Sequence, residues 1–391
     1  MTKLKTVIGL MSGTSMDGID AALMRTDGKK QVEIIGHHQH VYPDSFRARL
    51  KKGLADAGNI TVPHERPGIL RQLEKTLTLH HARLVAKFIT RSGFDGCKID
   101  LIGFHGQTVL HRPQQQLTVQ IGDGALLAEK TGIDVIYDMR SNDIRHGGEG
   151  APLIPVYHAA LAEKLKGKHR FPLAFVNIGG IANLTWIDRN GNLTAFDCGP
   201  GNCLIDQWVE MHTGQRFDRH GKAGLKGQVN EEIAGHYLNL PLFGQKKRRS
   251  FDWRDFPPLK KKAAAPDDGA ATLAYVTAAA IVNSFKNLPK KPKTLIVCGG
   301  GVRNQAIMHT LIRLADTEGA KVLTAGDIGL NADFIEAEAW GYLAVRSFYN
   351  LPLSYPATTG CSMPVSGGVL KHAAREQNLA MADQPALPSR I

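Results

Sequence analysis

Apolar residues along this chain follow several rhythms, and each rhythm predicts a different element. Val7-Ile8-Gly9-Leu10 is a short unbroken apolar run, followed by the turn Ser12-Gly13-Thr14-Ser15-Met16-Asp17-Gly18 and a second apolar run over 19–24. Such runs bounded by turn residues predict strand, turn, strand. Over 67–88 the rhythm changes: Leu70, Leu73, Leu77, Leu84 and Phe88 recur at helical spacing, and Gly93 can cap the end. Leu101-Ile102-Gly103-Phe104 predicts a short buried strand that presents His105-Gly106-Gln107-Thr108 at its carboxyl end. The run over 117–121 predicts another, presenting Gly122-Asp123 at the start of a helix.

Between 140 and 155 the texture becomes polar and glycine-rich, through Arg140-Ser141-Asn142-Asp143 and Gly147-Gly148-Glu149-Gly150-Ala151-Pro152. A boundary there divides the chain into lobes of 1–142 and 143–391, with the C-terminal segment able to pack back on the first lobe. Beyond it the strand, turn, strand pattern returns over 174–186, around Asn177-Ile178-Gly179-Gly180-Ile181-Ala182-Asn183. One such unit in each half suggests two related lobes. Residues 241–270, rich in Lys, Pro and Asp, read as a long surface loop. The run over 294–298 then enters Gly299-Gly300-Gly301-Val302-Arg303-Asn304 and a helix.

Composition narrows the class. The chain has 391 residues, 43% hydrophobic and 21% charged, which suits a folded protein with room for two lobes. No apolar run approaches the ~18 residues of a membrane span. The apolar start is shorter than a signal-peptide core and runs straight into the first turn, so a cytoplasmic protein is expected. Five cysteines (97, 198, 203, 298 and 361) show neither disulfide nor zinc spacing and read as reduced packing residues. The net charge of +12 admits nucleic-acid binding or attraction of small anions into a cleft. Its local runs, 246–249 and 260–262, lack interleaved aromatics and read as solvated surface. His37, His38 and His40 have no acidic partners near them in sequence, and they too read as surface, with no metal.

Glycines in a turn let backbone approach a ligand, and successive N–H groups can hold phosphate oxygens. The first turn adds hydroxyls at Ser12, Thr14 and Ser15, and its carboxylates Asp17 and Asp20 could hold magnesium through water. Each of the three glycine turns is also readable as an ordinary hairpin or loop; none is a P-loop or a Rossmann motif. Taken together, at separate strand ends in two halves, they fit a nucleotide held between lobes. Asp197, in Phe196-Asp197-Cys198-Gly199-Pro200-Gly201-Asn202, stands at a strand end as a general base or as a loop-capping aspartate. His105 and Gln107 could bond a sugar or be structural.

These motifs resemble, in order, those of the anhydro-N-acetylmuramic acid kinases. The likeness begins at Gly9-Leu10-Met11-Ser12-Gly13-Thr14-Ser15-Met16-Asp17-Gly18-Ile19-Asp20 and continues through Phe104-His105-Gly106-Gln107-Thr108-Val109 and Gln120-Ile121-Gly122-Asp123. It proceeds through residues 147–153, 176–184 and 197–202 to Val297-Cys298-Gly299-Gly300-Gly301-Val302-Arg303-Asn304, weakens to about 370, and leaves the tail outside. The resemblance implies a two-lobed α/β fold of the actin-like ATPase (ribonuclease H-like) kind, with ATP in the interlobe cleft. It implies that Gly13, Thr14, Ser15, Met16, Asp17, Gly18, Ile19 and Asp20 meet the phosphates, with Asn177, Gly179, Gly180 and Asn183 as a second phosphate segment. Gly299, Gly300, Gly301 and Asn304 would lie near the nucleoside. Asp197 would be catalytic, Arg140 and Glu336 near the sugar, and His105, Gln107, Gln120 and Asp123 on the same side. ATP and magnesium as cofactors, a homodimer, and no nucleic acid or membrane as partner complete the expectation.

The implied chemistry has an internal logic. A sugar bridged between C1 and O6 has no free 6-hydroxyl. Asp197 would activate water at C1, as a base does in inverting glycoside hydrolysis, and the released O6 would take the γ-phosphoryl group. The chain departs from the family at Arg249-Ser250-Phe251-Asp252-Trp253, where many relatives read Lys-Ser-Thr-Gly-Arg; Arg254 is a candidate replacement for the missing guanidinium. Met11, which the family shares, stands where wider relatives carry Asp. The alternatives are a kinase for another 1,6-anhydrosugar such as levoglucosan, and a non-catalytic nucleotide- or nucleic-acid-binding protein.

Overall fold

A computed structural model describes residues 2–13, 15–95, 98–244 and 250–374; Thr14, Cys97 and the whole basic run 246–249 lie outside the described residues. Two mixed sheets carry the same plan. In the first, β1 (Lys5–Ser12), β2 (Gly18–Thr26) and β3 (Val32–Val41) form an antiparallel meander. Then β4 (Leu101–Arg112) joins β1 in parallel, with β5 (Leu117–Ile121) antiparallel to β4 and β6 (Val135–Tyr137) parallel to it. In the second, β7 (Leu173–Ile178), β8 (Ile181–Ile187) and β9 (Leu193–Pro200) repeat the meander. Here β10 (Thr294–Cys298) joins β7 in parallel, and β11 (Lys321–Thr324) joins β10 in parallel. The orders β3-β2-β1-β4-β6 and β9-β8-β7-β10-β11 match strand for strand. This duplicated mixed α/β plan is that of a two-lobed ATPase fold. A last strand, β12 (Val369–Lys371), returns to the edge of the first sheet against β6.

Parallel neighbours need long crossovers, which the helices supply. Asp44–Ala57 and Leu70–Ser92 lie between β3 and β4; Cys203–Thr213 and Pro266–Asn283 lie between β9 and β10. The predicted helical stripe is met: Leu70, Leu73, Leu77, Leu84 and Phe88 are buried, and Gly93 ends the helix at φ 63°. The helix Ile335–Phe348 presses on the first sheet at two glycines. A Cβ on Gly9 would stand 1.9 Å from the Ala337 carbonyl oxygen, and one on Gly103 2.2 Å from that of Trp340. The same helix shares a core with the second sheet, where Trp340 and Leu343 join Val7, Leu101, Phe175 and Ile296.

Several expectations change. The strand at 101–104 is not short: β4 runs to Arg112 because β5 pairs along its second half, so His105 and Gln107 sit inside a strand. Gly106 takes φ +69° within it, and a Cβ there would stand 2.4 Å from the Ile121 carbonyl oxygen. Residues 241–270 are not simply surface. Phe256 is 1% exposed, short 3-10 turns occupy Pro241–Gly244 and Trp253–Asp255, and a helix starts at Pro266. The histidines of β3 do have partners, brought by the fold rather than by sequence: His37 Nε2 lies 2.7 Å from Glu338 Oε1, and His40 stacks on His80. Cys198, Cys298 and Cys361 are buried free thiols and Cys203 is half-buried. Burial pushes Cys198 and Cys298 up to about 12, consistent with packing residues.

Candidate active site

The first turn is held from below by buried polar groups. Ser12, fully buried, donates to Gln107 Oε1 at 2.8 Å and shares a 3.0 Å hydrogen bond with the Tyr42 hydroxyl. Gln107 Nε2 in turn donates to the Gly13 carbonyl at 3.0 Å. Gln107, itself 1% exposed, therefore supports the turn. Above it, Met16 takes φ 54°, and the Ser15 hydroxyl donates to Asp17 Oδ1 at 2.7 Å. Asp17 is exposed; Asp20, the third residue of β2, is half-buried and accepts from Gln39 Nε2 at 2.9 Å. Burial, then Asp17 and Asp333, push the Asp20 carboxyl up to about 6 although Gln39 opposes them. Among the described residues no three His, Cys, Asp or Glu side chains form a ready metal cage. Asp17 and Asp20 are nevertheless hard oxygen donors of the kind that hold magnesium through water.

The second and third turns abut. Gly201 N–H donates to the Gly180 carbonyl, and Asn202 gives both its N–H and its side-chain amide to the Gly179 carbonyl. A Cβ on Gly299, whose φ is +82°, would meet Asn177 Oδ1 at 2.2 Å; one on Gly301 would meet Ile178 Cγ2 at 2.2 Å. Asn304 caps the next helix, its Oδ1 accepting from Ala306 and Ile307.

Steric space sorts the glycines into two groups. Gly18, Gly299 and Gly301 are required by packing. Gly13, Gly179, Gly180 and Gly300 are not: a Cβ there meets nothing closer than 3.6 Å, and none needs a positive φ. The Gly180 N–H also donates to no group among the described residues. Backbone left bare where the fold does not demand it suits close approach of an anion. Ile19 is fully buried in β2 opposite His40 of β3, so its side chain belongs to the core. Thr14 lies outside the described residues.

Glu336, at the start of the Ile335–Phe348 helix, is where the two sheets meet electrostatically. Burial raises its carboxyl, Arg140 lowers it and Asp20 raises it; Cys298, at the end of β10, also feels its charge. Arg140 donates to the Gly150 carbonyl at 2.8 Å, contacts His105 Nε2 at 3.1 Å, and lies 5.0 Å from the centre of the Trp340 ring. Burial brings the Arg140 guanidinium down to about 10, still charged at neutral pH, with Glu336 and Asp143 working the other way. Burial and then Arg140 hold His105 well below its ordinary value. His105 is thus a neutral ring accepting from Arg140, which leaves its proton on Nδ1. Gln120 donates to Thr118 Oγ1 at 2.8 Å and to Thr108 Oγ1 at 3.3 Å, while Asp123 caps the helix Gly124–Thr131 through Ala125 and Leu126.

Asp197 lies on β9 opposite Asn183 on β8, next to a register shift between Ala182 and Asn183. Its Oδ2 accepts from the Phe251 N–H at 2.7 Å. Sequence reasoning overlooked Tyr42, Gln39 and Trp340, and it met Phe251 only as part of the segment that departs from the family. Of the overlooked three, only Trp340 had a local signal, four residues after Glu336 on one helix face.

Comparison with known proteins completes the picture. A solved structure, component A of the (R)-2-hydroxyglutaryl-CoA dehydratase of Acidaminococcus fermentans, aligns with 88% of this chain and 98% of its own at 12% identity and a TM-score of 0.45; the fold assignment rests on the strand order instead. The family model described as anhydro-N-acetylmuramic acid kinase matches residues 5–373. The protein of that name from Brucella canis is 56% identical over 369 residues, 94% of this chain and 99% of the relative. Its counterpart from Agrobacterium fabrum is 53% identical over 373 residues, 95% and 100% of the two chains. A match of this extent and identity places the chain in the anhydro-N-acetylmuramic acid kinase family.

Proposed function

We propose that this protein is an ATP-dependent kinase that opens the 1,6-anhydro ring of 1,6-anhydro-N-acetylmuramic acid and phosphorylates O6. The product, N-acetylmuramic acid 6-phosphate, belongs to cell-wall recycling. The observation that carries the reading is the set of glycines at both sheets, Gly13, Gly179, Gly180 and Gly300, that neither packing nor backbone angle requires in a chain of this family. They suit ATP phosphates lying between lobes of 1–142 and 143–391.

In this reading Asp197 takes a proton from water as that water attacks C1. The C1–O6 bond breaks, and the released O6 attacks the γ-phosphorus, breaking its bond to the β,γ-bridging oxygen so that ADP leaves. Arg140, charged and half-buried, is the cation suited to the lactyl carboxylate, with Glu336, Gln120 and Asp123 on the same side. His105 and Gln107 act from beneath, through Arg140 and through the first turn. Magnesium near Asp17 and Asp20 would neutralise charge on the transferring group. The protein is proposed to work in the cytoplasm as a homodimer, as the resemblance implies.

The test is ATP consumption with 1,6-anhydro-N-acetylmuramic acid and with levoglucosan, in ¹⁸O-water. Turnover on the first sugar, with label at C1 and none in the transferred phosphoryl group, is expected. Preference for levoglucosan would overturn the substrate; label in the phosphoryl group would overturn the mechanism.

A further inference from the structure

Three residues beyond Arg140 stands a buried acid whose contacts lead back to it. Asp143, in the short helix Ser141–Arg145, is 2% exposed, and both oxygens of its carboxylate are occupied. Oδ2 accepts from the Gly150 N–H at 2.7 Å; Oδ1 accepts from the Thr359 hydroxyl at 2.6 Å and from the Ser354 hydroxyl. The Gly148 N–H donates to the Asp143 carbonyl at 2.9 Å, and a Cβ on Gly148 would stand 2.2 Å from Oδ2. The loop 147–150 is therefore folded onto this one carboxylate, and the segment after the Ile335–Phe348 helix holds the carboxylate from its other oxygen. Arg140 Nη1 donates to the carbonyl of the same Gly150, at 2.8 Å, while Nη2 donates to His105 Nε2. One N–H on each terminal nitrogen is thus taken, which fixes the plane of the guanidinium. A second N–H remains on each, the fork that meets a carboxylate through two hydrogen bonds.

We propose that Asp143 is a positioning residue for Arg140 and, through it, sets the preference for a sugar that carries a carboxylate. The Asp143–Gly150 hydrogen bond holds the Gly150 carbonyl in place, and that carbonyl holds the Arg140 guanidinium in one orientation. A hydrogen bond to an ionised carboxylate is stronger than a neutral one, so the loop that it closes resists rearrangement. A cation fixed in advance gives up less rotamer freedom when it meets its ligand. The charge of Asp143, with that of Glu336, also supports the Arg140 cation against burial. Asp143 acts through Arg140 and, being buried, meets no sugar itself. This inference rests on Arg140 being the partner of the lactyl carboxylate, as in the preceding section.

The test compares 1,6-anhydro-N-acetylmuramic acid with its neutral lactyl amide, by calorimetry beside a non-hydrolysable ATP analogue and by KM and kcat. The ratio of the two affinities reports the grip of the cation on the carboxylate, and a general loosening of structure would weaken both sugars alike. In wild type the acid is expected to bind more tightly by about 10- to 100-fold. Asp143→Ala should shrink that ratio by about 10-fold, raising KM for the acid while kcat falls by no more than about 3-fold and KM for ATP holds. Asp143→Asn should recover most of the ratio, because its amide oxygen can still accept from Gly150 while the two hydroxyls turn to accept from its NH2. Equal losses for acid and amide in Asp143→Ala, or no recovery in Asp143→Asn, overturn the proposal. Should Asp143→Ala fail to fold, Thr359→Val, which removes one donor from Oδ1, is expected to shrink the ratio by about 2- to 3-fold; an unchanged ratio there overturns it as well. A ratio that collapses in Arg140→Ala and stands in Asp143→Ala defeats this inference alone. No preference for the acid in wild type defeats the assignment of Arg140, and this inference with it.

Discussion

The two sheets repeat one strand plan, yet at matched positions they carry opposite chemistry. In the first hairpin the third residue of β2 is Asp20, facing Gln39 on β3; in the second the third residue of β8 is Asn183, facing Asp197 on β9. The carboxylate and its amide neighbour have exchanged strands. The turns differ as well. Between β1 and β2 lie residues 13–17, with an exposed carboxylate, whereas between β7 and β8 only Gly179 and Gly180 remain. Beside the bare Gly13, the first hairpin therefore carries acid suited to a cation, whereas the second turn is bare backbone alone, with a carboxylate one strand further on. Duplication supplies two equivalent frames; the side chains divide the work between them.

If that division is right, the larger effect belongs to the second sheet. Asp197→Asn should cut turnover by ~10²–10⁴-fold, with ring opening and phosphoryl transfer lost together and ATP affinity retained by calorimetry. Retained ring opening without transfer would break the coupling of the two events. Next come the bare glycines. Gly13→Val and Gly180→Val should each weaken ATP binding by about 10- to 100-fold, roughly 1.4–2.8 kcal/mol, while the melting temperature changes little. Gly301→Val should do the reverse in order of cause: its Cβ falls 2.2 Å from Ile178 Cγ2, so stability should drop by about 1–3 kcal/mol first. Equal melting temperatures for the three variants would refute the sorting of glycines into those the fold needs and those it spares.

A smaller effect tests the first hairpin. The Asp20 carboxyl is pushed up to about 6 from 3.8, so the folded state holds a proton that the unfolded state has released between those values. Stability from this group falls as pH rises through that window and stays lost above it. Asp20→Asn should therefore stabilise the ligand-free protein above pH 6 by about 1 kcal/mol after allowance for solvent screening. It should also raise the magnesium concentration needed for half-maximal rate. A variant less stable than wild type at pH 8 would mean that Asp20 is a structural acid. The smallest effect expected is at Lys260, Lys261 and Lys262, all exposed. Replacing all three by Ala should leave turnover unchanged and alter stability within about 0.5 kcal/mol per site; lost turnover would return the basic loop to the ligand.

Periodicity and turn chemistry determined much of this protein without tertiary information. The apolar runs 7–10, 174–178 and 294–298 could only be buried strands, the leucine stripe from Leu70 to Phe88 only a packed helix, and the ordered motifs named the family. These signals are local: side-chain spacing and glycine content act within a few residues of each other. The length of β4 was not legible, because β5 extends it by pairing from the other side of a turn. Nor was the role of the histidines on β3, since the acid that His37 meets is Glu338, 301 residues away. Above all, the sequence presented the glycines of all three turns as equals. Only packing separated Gly13, Gly179, Gly180 and Gly300 from Gly18, Gly299 and Gly301, because whether a Cβ fits depends on backbone brought close by folding. The same holds for Asp197. Its presence at a strand end was plain, but the amide at its Oδ2 comes from a turn whose position is set by three phenylalanine rings packing in the second core.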